Sequence, residues 1–144
     1  MKQNDVIKNN EGINFRVLEL NDNKLFVVDC NKKRMPFWID IDEMADCQKY
    51  DLPKLKEVTE LDAVAKMNQH FTIIAEILPF LSSEKKRNFV IAEVSERYGL
   101  SKQTLRSYLW RYLVFQDKKA LRLFLLKVGI IPIIIMLWSV STMS

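Results

Sequence analysis

Histidine occurs once, cysteine twice and glycine three times in these 144 residues. The single His70 has no second histidine or cysteine at ligand spacing, so it reads as a surface or rim residue, not a metal ligand or general base. Cys30 and Cys47 have neither close spacing nor a framework of partners. That excludes a disulfide scaffold and a thiolate metal site, and two free thiols point to a reducing compartment. With no signal-peptide pattern at the N-terminus, the expected location is cytoplasmic. Glycine and proline together fill only seven positions, against 49% hydrophobic and 28% charged residues. This composition excludes fibrous and disordered classes and describes one ordinary folded domain or two very small ones with thin cores.

No catalytic constellation is present either. The acid-rich stretch from Asp40 to Asp46 lacks the glycine and the distal bidentate glutamate that a calcium loop needs. It reads as a solvated helical turn capped by Asp40 or Asp42. The expectation is a protein with no metal, no cofactor and no enzymatic activity of its own.

What the chain does have is charge in one place. From Glu84 to Arg122 there are ten basic residues and four acidic ones, a net +6, while the remainder of the chain carries −2. Positive charge concentrated on one small unit is the electrostatic footprint of a polyanion binder. A solvated basic face is the plainer alternative.

Residues 1–50 are expected to form a small β unit. Ile13 to Leu20 alternates apolar and polar side chains, Asn21-Asp22-Asn23-Lys24 supplies a turn, and Leu25 to Cys30 resumes as a second strand. Asn31-Lys32-Lys33-Arg34 is a second turn, and Met35 to Asp40 a third strand with Pro36 near its start or on an edge. A curled, SH3-like barrel or a three- to four-stranded sheet fits this meander. Residues 51–58 read as a linker. Thr59-Glu60-Leu61-Asp62 then starts a helix, with Thr59 and Asp62 as a capping box, and Leu61, Val64, Ala65, Asn68, Phe71, Ile74, Ala75 and Leu78 as its apolar stripe. Pro79 lies close to its end.

Residues 59–121 are expected to form a helical unit containing a helix-turn-helix at residues 84–116. Ser82 or Ser83 caps a helix from Glu84 to Tyr98, whose apolar face is Phe89, Val90, Val94 and Tyr98. Gly99 ends it, Leu100 plugs the turn and Ser101 caps the next helix. Small Ser95 lets the two helices approach, and the second helix buries Leu105, Tyr108 or Leu109, and Tyr112. Outward near its N-terminus stand Ser101, Lys102, Gln103, Arg106 and Ser107. Arginine and lysine suit guanine edges or phosphate, glutamine suits adenine, and serine reaches phosphate. Lys85, Lys86, Arg87 and Arg111 are expected to flank the groove as phosphate contacts. Trp110, Tyr108 and Tyr112 read as core rather than as base-stacking platforms.

The order of β unit, helix and basic helix-turn-helix resembles the N-terminal region of the TnsB-type transposases, integrase-like DDE enzymes of cut-and-paste transposons. Phe15-Arg16-Val17-Leu18-Glu19-Leu20 with Leu25-Phe26-Val27-Val28-Asp29 is similar to that family's opening hairpin. Leu100 to Tyr112 resembles its helix-turn-helix, and Gln116 to Leu121 the short link that follows. The resemblance covers about residues 10–121. It implies site-specific binding of transposon-end double-stranded DNA, with Lys102, Gln103, Arg106 and Ser107 on the reading helix and other transposition subunits as partners. It also implies a transposase truncated before the RNase H-like domain that holds the family's two metal ions.

The tail, 122–144, departs from that family. From Leu123 to Trp138 it is strongly apolar, interrupted by Lys127, Gly129 and Pro132. An aberrant, frame-shifted end, a membrane span within 123–140, and a core or oligomer-forming segment are the three accounts. The corresponding rivals to transposon-end recognition are a small membrane-anchored DNA-binding regulator and a protein-interaction module built on the β unit.

Overall fold

Alternating side chains at the start of the chain become an antiparallel sheet in the computed structural model, which describes residues 1–123. Its strands are β1 (Val6–Lys8), β2 (Asn14–Asn21), β3 (Lys24–Asp29), β4 (Phe37–Asp40) and β5 (Gln48–Lys49), in the order β4-β3-β2-β1-β5. The β2–β3 hairpin turns through Asp22, whose φ of 52° is one that aspartate tolerates better than most residues. Pro36 precedes edge strand β4, where its missing N–H costs no ladder bond. The register shifts between Val17 and Glu19 opposite β3, and this bulge sends Leu18 toward the helices. The expected three- or four-stranded sheet is thus a five-stranded one. The additional strands are three and two residues long, too short to show any periodicity of their own.

Both faces of the sheet are covered. On one, Ile7, Phe15, Val17, Leu25 and Val27 pack with Met44 from the 3₁₀ turn Ile41–Met44. On the other, Val6, Val28 and Cys30 pack against the last helix. That explains why β3 is buried from Leu25 to Asp29 without alternation.

Three helices follow: α1 (Leu61–Ala75), α2 (Glu84–Tyr98) and α3 (Lys102–Phe115), with 3₁₀ turns at Leu78–Phe80 and Lys118–Leu123. The capping box at α1 does not form: Glu60 is the N-cap and makes no side-chain cap bond. Leu61 is 86% exposed, and the buried face is Met67, Ile73 and Ile74, continued by Ile77. Only Ile74 of these belongs to the expected stripe. Val64, Phe71 and Leu78 of that stripe are partly buried against the same core, while the packing on α3 and the Lys118–Leu123 turn leaves Leu61, Ala65 and Asn68 exposed.

In α2 the ends fall where expected, and so does half of the face, since Val94 is buried and Val90 packs on the helical core. Arg87, Ile91 and Val94 are buried, while Phe89 is 64% exposed and Tyr98 is exposed. A buried arginine replaces an apolar residue in the i, i+4, i+7 row, and its charge hides that row from a hydrophobicity reading.

The helix α3 is central to the molecule. Leu105 and Leu109 join the helical core of Ile74, Ile77, Ile91 and Val94. Trp110, Leu113 and Val114 join the sheet core. The stretch 51–58 has no helix or strand, yet Leu52 and Leu55 pack on the sheet core and Val58 on the helical one. The two halves therefore share α3 as a common wall. Among the described residues no helix is long and apolar enough to cross a membrane. The apolar run from Phe124 onward lies outside the described residues.

Candidate nucleic-acid interface

Local side-chain chemistry sets the corner between α2 and α3. Ser83 caps α2 by accepting from the Lys86 N–H at 3.4 Å. Gly99 ends it at φ 67°, a left-handed conformation that a side chain disfavours. The Leu100 N–H donates to the Ser95 carbonyl at 3.2 Å, and the Ser95 hydroxyl donates back to the Leu100 carbonyl at 2.5 Å. The Leu100 side chain packs into the helical core. Ser101 then caps α3, accepting from the Thr104 N–H at 3.0 Å.

Beyond its first turn, α3 is nearly all interior: Leu105, Tyr108, Leu109, Trp110, Arg111, Leu113 and Val114 are buried. What the packing leaves open is the beginning of the helix. Ser101, Lys102 and Gln103 are exposed, and Arg106 and Ser107 are half-buried. The side chains of Lys102, Gln103 and Arg106 make no hydrogen bond or ion pair among the described residues. Ser101 is less free, because its hydroxyl both caps the helix and donates to Thr104 Oγ1 at 2.8 Å. Lys85 and Lys86 are exposed on the first turn of α2.

Arg87 and Arg111 do not flank this surface. Arg87 is 5% exposed and its guanidinium donates to the carbonyls of Leu81 at 2.7 Å and Pro36 at 3.4 Å. Burial pushes its pKa down, with repulsion from nearby Arg106 adding to the effect. Arg111 is 3% exposed, lies 5.4 Å from the Tyr108 ring centroid and donates through Nε to the Ser107 carbonyl at 3.3 Å. Burial lowers its pKa to about 10. Their outward reading fails because both stand in rows that the helices turn inward. Other cations of the basic block are also engaged. Arg97 pairs with Glu76, Lys118 donates to Asn68 Oδ1, and Lys119 pairs with Glu57 and Asp117.

One neighbour of the site comes from the sheet. Lys33 Nζ donates to the Ser107 hydroxyl at 2.7 Å, which lays the β3–β4 turn alongside α3. The Asn31-Lys32-Lys33-Arg34 cluster was visible in the sequence as a turn, but nothing local links it to a helix that begins at residue 102.

The aromatic residues of α3 face inward. Trp110 Nε1 donates to the Asp29 carbonyl at 2.9 Å, and Tyr112 is tilted against Phe71 at 5.2 Å. Tyr108 stacks on His70 with ring centroids 4.3 Å apart, its hydroxyl 3.3 Å from His70 Nε2. His70 Nδ1 lies 3.3 Å from the Leu121 carbonyl, and burial lowers the imidazole pKa. No protein-family model matches the chain, and no curated protein matches it.

Proposed function

We propose that the protein is a sequence-specific binder of double-stranded DNA, with α2 and α3 acting as a helix-turn-helix and α3 entering the major groove. The observation that carries this reading is the openness of the first turns of α3. Lys102, Gln103 and Arg106 are unpartnered there, on a helix otherwise consumed by two cores. In such a unit the N-terminal residues of the second helix reach base edges while the first helix crosses the backbone. Arg106 and Lys102 suit guanine O6 and N7, and Gln103 suits adenine N6 and N7. Lys85 and Lys86, at the start of α2, suit the adjoining phosphates.

The resemblance to the TnsB-type transposases narrows the duplex to transposon ends. On that reading the chain is the N-terminal, DNA-recognising region of a transposase, acts in the cytoplasm and works beside other transposition subunits. Selection from a pool of random duplexes by the purified full chain tests this. Enrichment of one motif, lost in Gln103→Ala or Arg106→Ala, supports the reading. A pool that stays random through repeated rounds refutes it.

A further inference from the structure

The sequence block that carries +6 supplies fewer open cations than its composition suggests, since Arg87 and Arg111 are buried and Arg97 and Lys119 are in ion pairs. The fold brings replacements from the sheet. The β3–β4 turn holds Lys32, Lys33 and Arg34 within four residues, and it is fastened beside the open end of α3.

The fastening is extensive. Asp29 Oδ1 accepts from the N–H groups of Asn31 at 2.7 Å and Lys32 at 3.0 Å, and Asn31 Oδ1 accepts from the Asn14 N–H at 2.7 Å. Arg34 pairs with Asp29 at 3.6 Å and lies over the Phe37 ring at 4.1 Å. On the far side of the turn, Arg87 of α2 holds the Pro36 carbonyl, and the Trp38 indole donates to the Ser82 carbonyl at 3.1 Å. The turn is therefore tied to β2, to the start of α2 and to the middle of α3 together. Lys32 is exposed and its ammonium has no partner among the described residues. Lys33 has one neutral partner, the Ser107 hydroxyl, so its charge is uncompensated. The acidic side chain of the turn, Asp29, is buried and saturated by the turn itself.

We infer that the Asn31–Arg34 turn is a second DNA-contacting element, in which Lys32 and Lys33 take phosphates of the strand bordering the groove that α3 enters. The inference rests on the duplex-binding reading of α3. Because the turn is already ordered, these contacts cost little conformational entropy. They hold register and orientation and carry no base information. Lys33 also couples the two elements, since the hydroxyl it holds belongs to the reading helix.

The test is fluorescence anisotropy with a labelled random-sequence duplex, using full chains carrying Lys32→Gln, Lys33→Gln or both, across roughly 50–200 mM salt. Lys33 loses at most one part-buried hydrogen bond and Lys32 has no contact to lose, so the fold is retained. The expected result is a plot of log affinity against log salt about 1 less steep in each single variant and about 2 less steep in the double. Wild-type protein that binds with a steep salt dependence, shared unchanged by the double variant, removes the turn from the interface and leaves the α3 reading standing. A wild-type slope accompanied by weaker binding in Lys33→Gln also overturns the inference, because Lys33 would then act only by positioning Ser107. Wild-type protein that binds no duplex even at the lowest salt ends both.

Discussion

The Trp110 indole donates to the Asp29 carbonyl across 2.9 Å, joining the middle of α3 to the last residue of β3 in the buried seam between helices and sheet. Asp29 also organises the turn beside α3 through its carboxylate. A single bond thus links the helix that carries the proposed interface to the strand that positions its flank.

Trp110→Phe keeps most of the ring but leaves the Asp29 carbonyl without its donor, at a cost of ~1–3 kcal/mol. Trp110→Ala adds a cavity and is expected to cost ~3–5 kcal/mol. Urea unfolding followed by far-UV dichroism and by fluorescence should show one lowered midpoint common to both probes. A sheet that melts separately from the helices would contradict the shared wall.

Arg87→Ala removes a buried guanidinium that holds the Leu81 and Pro36 carbonyls. It is expected to lower stability by about 1.5–3 kcal/mol, the range for hydrogen bonds to a charged group. Its salt dependence of duplex binding should equal that of the wild type when measured well below the melting temperature. A shallower slope with unchanged stability would restore Arg87 to the phosphate contacts.

The parts of this fold that were legible in the sequence are those set by local chemistry. Ser83, Gly99 and Ser101 mark the ends of α2 and α3 because caps and left-handed glycine act within a few residues. The β2–β3 hairpin was legible from alternation around an Asn-Asp-Asn turn. The burial of Arg87 and Ile91 in α2 was not, because Arg87 occupies a core position that hydropathy assigns to solvent. Nor was the start of α1, where Glu60 caps without a side-chain bond. β1 and β5 pair over about forty residues of chain, and two or three residues cannot announce such pairing. At the proposed interface, the openness of Lys102, Gln103 and Arg106 followed from helical spacing and the position of Gly99. Lys33 did not, since only the packing of sheet on α3 brings it to Ser107.

His70 is the one histidine of the chain, so its titration is unobscured by others. Burial favours the neutral ring and, helped by repulsion from Arg111 and Lys66, outweighs the Leu121 carbonyl that favours the charged one, so the pKa lies below the ordinary 6.5. On acidification the unfolded chain takes up the proton first. The stabilising contribution is thus complete above pH 6.5 and is lost as pH falls through the lower folded value. The melting temperature should drop between about pH 7 and pH 5, and His70→Gln should reduce that drop. An identical acid profile in the variant would exclude His70 as the group responsible.

The central claim is that the open end of α3 recognises duplex DNA, and a titration of Arg106→Ala against a duplex selected by the wild-type chain tests it most directly. Arg106 is half-buried with no hydrogen bond or ion pair among the described residues, so its removal should leave the fold intact. At fixed salt the variant is expected to bind ~1–3 kcal/mol more weakly, roughly five- to 150-fold. It should also lose preference at one position of the site. Equal affinity and equal selectivity of variant and wild type would contradict the account.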